Sequence, residues 1–173
     1  MTTEIAMSDA AGSVGRPFNS PLECGLRMLF VLNSAKGQSA DLQRLVSYDY
    51  LLVHSGDVDG GPESIHPSVP FRGTQLLVKR DVLRVGLEQM FSRELLDKTF
   101  EVSGIVYRSN ALTSAFLNLL DTSYSHALRT RSEWIFDRFG SMEDRDLSNF
   151  MTRNIGRWGA EFDRITAIKD LEL

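Results

Sequence analysis

Leu95-Leu96-Asp97-Lys98-Thr99-Phe100-Glu101-Val102, then Ser103-Gly104, then Ile105-Val106-Tyr107-Arg108: two β-prone runs meet at a Ser-Gly pair. The pattern is that of a β-hairpin. Every periodic segment upstream of it is helical, so this stretch decides the fold. Immediately before it, Val78, Val82, Leu83, Leu87, Met90 and Phe91 mark a helix over roughly Gln75–Ser92. An earlier helix starts around Ser39–Asp41 and runs through Leu42, Leu45, Val46, Leu52 and Val53 until Gly56 ends it. Earlier still, Ser20-Pro21-Leu22-Glu23 offers a cap, a proline suited to the first turn and a Ser-x-x-Glu capping box. The helix it opens is apolar nearly all round, from Leu22 through Leu32, which makes it the central core helix, and it stops near Gly37.

Helix, helix, helix, hairpin is the winged-helix order. Beyond the hairpin the pattern is helical again. A short helix is expected over Thr113–Leu120 and a longer one over Ser123–Phe139, ending at Gly140. A last helix, opened by a Ser141-x-x-Asp144 cap, carries Leu147, Phe150, Met151, Ile155, Trp158, Phe162 and Ile165. The expectation is a mainly α chain. Residues 18–110 form a winged-helix-like core of three helices and a hairpin, and 111–168 a helical section packed on it as one globular unit. Residues 1–17 and 169–173 are tails.

Bulk composition narrows the function class. With 173 residues the chain can bury a full core, and 42% hydrophobic with 24% charged residues is ordinary globular chemistry. A net charge of −4 means that any phosphate contact must come from a local patch. The single cysteine, Cys24, excludes an internal disulfide and every multi-cysteine zinc motif. The longest uninterrupted apolar run, Met28–Leu32, is far short of the ~20 residues of a membrane span. Residues Met1–Arg16 lack the basic start and apolar block of a signal peptide. A cytoplasmic location is expected.

Catalytic constellations fail one by one. Cys24 lies within an apolar helix, where a thiol is normally an inert packing group. There is no Gly-x-Ser-x-Gly elbow and no Gly-x-x-x-x-Gly-Lys-Ser phosphate loop, and the histidines at 54, 66 and 126 define no base. The irregular stretch from Gly56 to Gly73 holds three of the five prolines, and with His54 it groups His54, Asp57, Asp59, Glu63 and His66. Those residue types suit a metal, but their spacing fits no zinc or calcium motif. No metal, cofactor or catalytic residue is expected.

Charge is distributed unevenly. From Arg72 to Arg108 seven bases face five acids, whereas from Ser39 to His66 Arg44 alone faces five acids. Arg72, Lys79, Arg80 and Arg84 therefore form a candidate basic surface for DNA or a protein partner, on the element a winged helix presents. Asp49, between Tyr48 and Tyr50 at an apolar stripe, is a candidate structural buried acid that needs a partner such as Arg27 or Arg80. Gly156 and Gly159, flanking Arg157-Trp158, point to a close helix approach, with Trp158 and Phe162 read as packing.

Four strings together carry a resemblance: Phe18-Asn19-Ser20-Pro21-Leu22-Glu23-Cys24-Gly25-Leu26-Arg27, the run Asp41 to Asp57, Leu76-Leu77-Val78-Lys79-Arg80, and Arg157-Trp158-Gly159-Ala160-Glu161-Phe162. Over about residues 18–165 the chain resembles the second class of middle component in bacterial ABC-three-component systems, which are similar to the Lamassu class of anti-phage defence. The resemblance implies a non-catalytic adaptor that joins a coiled-coil ABC ATPase, akin to the structural-maintenance ATPases, to an effector protein. It implies no site residue. DNA contact, weak or through the complex, stays open, as does the alternative of a free-standing winged-helix transcription regulator.

Overall fold

Capping and a turn of left-handed backbone set the first element. In the computed structural model, which describes residues 19–68 and 72–158 without the side chains of 72–75 and 77, helix α1 spans Pro21–Ser34. The Ser20 hydroxyl accepts the Glu23 amide at 3.2 Å. The reciprocal half of the capping box is not made, because Glu23 Oε1 instead accepts from Arg27 and from the Tyr124 hydroxyl. After Ser34 the chain turns through Lys36 and Gly37, both with positive φ. It then pairs briefly as β1 (Ala40–Asp41) and enters α2 (Leu42–Val53), whose first turn is capped by Asp41 Oδ1 accepting from the Arg44 amide at 2.7 Å.

A single 3-10 turn (Ser55–Asp57) and an irregular stretch lead to α3 (Arg72–Phe91), which starts three residues earlier than its apolar pattern suggests. Strands β2 (Asp97–Glu101) and β3 (Gly104–Arg108) follow as an antiparallel hairpin. Its connection is Val102-Ser103, one residue before the Ser-Gly pair. Gly104 pairs with Glu101 as the first residue of β3 and takes the positive φ of +124°. A left-handed backbone is needed there, and glycine supplies it without steric cost. Both strands of the short first ladder also run antiparallel, so the sheet has the order β1-β3-β2.

The C-terminal section is helical: α4 (Ala111–Leu117), α5 (Ser123–Phe139) and α6 (Asp144–Ile155). Reciprocal capping boxes open α4, through Asn110 and Thr113, and α5, through Thr122 and Ser125. Ser141 does not cap α6. Glu143 holds the N-cap position without a side-chain bond, and Asp144 pairs with Arg44 of α2. The same guanidinium donates to the carbonyls of Met142 (2.5 Å) and Phe139 (3.3 Å), so α2 fixes the α5–α6 turn directly.

The six helices, with β1 and β3, share one apolar cluster, from Met28, Leu29 and Leu32 of α1 to Phe139, Leu147 and Met151 of the C-terminal helices. The closest crossing in it joins α1 to α3. A Cβ on Gly25 would lie 2.5 Å from the Gly86 carbonyl oxygen, and one on Gly86 only 2.3 Å from that of Pro21. Among the described residues the close approach expected at Gly156 is not found: α6 ends at Ile155, Gly156 is its C-cap, and a Cβ there would meet none of them within 4 Å. Gly159, Phe162 and Ile165, like the two proposed tails, lie outside the described residues. Among the described residues, no helix is long and apolar enough to cross a membrane.

Candidate functional site

Arg27, on the second turn of α1, is buried, and α2 brings Asp49 to it. Asp49 is 2% exposed. Arg27 Nε donates to Asp49 Oδ1 at 2.7 Å and Nη2 to Oδ2 at 3.0 Å, the forked geometry that makes arginine–carboxylate pairs strong. Nη1 reaches Glu23 Oε1 at 3.0 Å and Nη2 the Cys24 sulfur at 3.2 Å. Lys79 Nζ stands 3.8 Å from Asp49 Oδ2. Burial by itself disfavours both charges, but each supplies the other's compensation. The Asp49 carboxyl is held below the usual carboxylate range against the cost of burial, chiefly by Arg27 and then Lys79.

A second polar string continues from Glu23. The Tyr124 hydroxyl donates to Glu23 Oε1 at 2.9 Å, and His66 Nε2 lies 3.1 Å from that hydroxyl. With the phenolic proton committed to Glu23, the hydrogen-bond network assigns the imidazole proton to Nε2. Burial, helped by the nearby Arg27 charge, pushes the His66 pKa down to about 4, so the ring is neutral at ordinary pH. Burial and Asp49 push the Cys24 thiol up to about 11. A thiol so placed is a poor nucleophile. This cluster is arranged to hold α1, α2, α3 and α5 together.

Of the loop residues weighed as metal ligands, His54, His66 and Asp57 make contacts of other kinds. The His54 and His66 rings are 6.5 Å apart, edge to face, and Asp57 Oδ2 accepts the Tyr50 hydroxyl at 2.7 Å. Among the described residues no group of three or more His, Cys, Asp or Glu side chains could hold a metal ion. The loop itself is pinned. The Glu63 carbonyl accepts from Ser55 and twice from Arg131 of α5, and the Trp158 indole donates to the Asp57 carbonyl at 2.9 Å while stacking on Tyr50.

The four basic candidates separate. Lys79 turns inward to Asp49. Arg80 and Arg84, one helical turn apart, stay outside, where Arg80 donates to Gln43 at 2.6 Å and Arg84 lies 3.7 Å from exposed Asp81. The side chain of Arg72 lies outside the described residues. Beside these two bases the outward side of α3 also carries Val78 (73% exposed), Asp81 and Val85. On the hairpin, Phe100 (80% exposed), Val102 and Ile105 also face solvent. The sequence pattern counts Val78 among the apolar helix positions and Phe100, Val102 and Ile105 among the strand formers. The signal available was Val78 and Val85 at a seven-residue spacing on a helix already supplied with inward-facing leucines.

The family description "ABC-three component (ABC-3C) system Middle Component 2" matches residues 17–161. The chain belongs to this family. No curated protein and no solved structure matches it. The match to the middle component runs from α1 through α6, so both the Arg27–Asp49 cluster and the exposed α3–hairpin face lie inside the family's common region. As a middle component the chain is one part of a multi-component system.

Proposed function

We propose that this middle component is a non-catalytic adaptor that bridges a coiled-coil ABC ATPase and an effector protein, in a cytoplasmic anti-phage defence complex of the Lamassu type. The core, residues 18–110, is read as a winged helix: the element order α1-β1-α2-α3-β2-β3 with the sheet β1-β3-β2 supports that reading. Residues 111–168 complete the same globular unit. Asp49 serves it as a structural acid, neutralising Arg27.

The observation that carries the adaptor reading is the composition of the exposed face of α3 and the hairpin. A winged helix that reads DNA presents bases and polar side chains from its third helix to phosphates and base edges. Here that helix exposes Val78, Val85 and Asp81, and the hairpin exposes Phe100 and Val102. An exposed carboxylate at this position repels phosphate, and exposed apolar residues of this kind suit a protein partner. The winged-helix order favours the second reading, a DNA-binding regulator, for which Arg80 and Arg84 are exposed bases on the third helix.

Co-expression with the neighbouring components, followed by size-exclusion chromatography, tests the adaptor reading. The expected result is one peak containing this chain, the ATPase and the effector. Elution of this chain alone, while the other two assemble without it, refutes the adaptor role. Tight, sequence-specific DNA binding by the isolated chain establishes the regulator instead.

A further inference from the structure

Between the first turn of α2, the middle of α3 and the hairpin runs a groove of about 420 Å³. Leu42, Ile105 and Tyr107 give it an apolar wall, and Arg80, Arg84 and Lys98 line it with positive charge. Two acids also reach it: Glu88 is neutralised by Lys98 at 2.5 Å, whereas Asp41 caps α2 through a neutral amide and keeps its charge. The positive excess that remains is carried by Arg80, whose partner is the neutral Gln43, and by Arg84, whose contact with Asp81 is long and solvent-exposed. Phe100 stands directly across the ladder from Ile105. Cross-strand partners share a face of the sheet, so the exposed phenyl ring extends the apolar wall of the groove toward the hairpin tip.

We propose that this groove docks an acidic segment of another protein of the system, with carboxylates opposite Arg80 and Arg84 and a large apolar side chain against Phe100 and Ile105. The proposal rests on the adaptor reading and specifies the surface and the chemistry that it uses. Charge complementarity selects the occupant. A second copy of this chain, related by a two-fold axis through the groove, brings Arg80 and Arg84 against their own counterparts. A nucleic acid gains the two arginines but leaves Phe100 and Val102 in water. An acidic, apolar-anchored peptide satisfies both features at once.

The test uses the co-expressed system with p-benzoylphenylalanine incorporated in place of Phe100, irradiated and mapped by mass spectrometry. The expected product is a cross-link to a different protein component, at a peptide that places Asp or Glu residues beside an apolar anchor. The double reversal Arg80→Glu/Arg84→Glu should slow association of the intact complex by about tenfold, because complementary charge acts mainly on the association rate. Phe100→Ser should weaken the complex about tenfold through faster dissociation while leaving the circular dichroism of the exposed hairpin variant unchanged. Cross-links to DNA, to a second copy or to a basic segment overturn the proposal. So does an intact complex with no cross-link at position 100 and no response to the charge reversal. Absence of any complex with the unaltered chain refutes the adaptor reading itself, and the groove proposal falls with it.

Discussion

Alanine at position 86 is a one-carbon probe of how closely α1 and α3 cross. The new Cβ falls 2.3 Å from the Pro21 carbonyl oxygen, 2.7 Å from the Gly25 nitrogen and 3.1 Å from the Gly25 Cα. All three are main-chain atoms, so no rotamer change relieves the contact. Ordinary contact requires the helices to separate by roughly 1 Å, and a gap of that size forfeits about a quarter to a half of the dispersion energy of the atoms lining it. Overpacking of this kind costs ~1–3 kcal/mol, offset by ~1 kcal/mol from replacing an interior helix glycine. Because α1 is the central helix and packs against α2, α3, α4 and α5, the upper part of that range applies, for a net loss of about 1–2 kcal/mol. Gly156→Ala is the matched control: its site is open, φ is −67°, and the stability should be unchanged or slightly raised. Urea denaturation followed by far-ultraviolet circular dichroism reads both. The Gly86→Ala midpoint should fall with the m-value retained. A Gly86→Ala chain as stable as its parent refutes the close crossing.

Removal of one partner from the buried ion pair should be severe: Asp49→Ala takes the forked partner from the buried Arg27 charge, leaves it Glu23 alone as an acidic contact, and should lower stability by about 3 kcal/mol. The double replacement Arg27→Met/Asp49→Leu should recover most of that loss in thermal melts, and a double variant no more stable than Asp49→Ala counts against charge stranding as the cause. Acid sensitivity should have two phases. His66 has its folded pKa depressed from 6.5 to about 4, so its contribution is complete above 6.5 and is lost as pH falls toward 4, up to about 3 kcal/mol in all. Asp49 is also depressed, and its share is present above the ordinary carboxylate range and disappears only as pH falls through its lower folded value. Denaturation series between pH 7 and 4.5 on the parent and His66→Gln separate the phases; equal slopes for the two proteins show that His66 is not responsible for the first.

The elements legible in the sequence were those with local chemical signatures. Ser20-Pro21 fixed the start of α1, Ser123–Phe139 was read with its observed bounds, and the β-prone runs around residue 103 located the hairpin. Features that exist only between elements were not legible. Ala40–Asp41 is a strand solely because β3 lies beside it, and two residues carry no alternation to read. The Gly25–Gly86 crossing depends on which two helices touch, whereas Gly156 and Gly159 stand out in the sequence merely because they are near each other in the chain. Charge counting placed Lys79 beside Arg80 and Arg84, but consecutive helix positions lie about 100° apart, and that rotation turns Lys79 toward Asp49. Ser141 illustrates the same limit, since the bonds fixing the turn before α6 come from Arg44, about a hundred residues earlier.

The stacking of Trp158 on Tyr50 gives the protein a built-in optical reporter. The chain has two tryptophans, and neither lines the α3–hairpin groove: Trp134 lies on α5 against Phe139, and Trp158 follows α6 with its indole proton held by the Asp57 carbonyl. Trp158 is buried, so its emission should be blue-shifted and should move to the red when the chain beyond α6 lifts from α2. A ligand that binds only at the α3–hairpin groove leaves that spectrum alone. A partner that engages both ends of the molecule, or that pries the C-terminal section loose, announces itself in intrinsic fluorescence without any label.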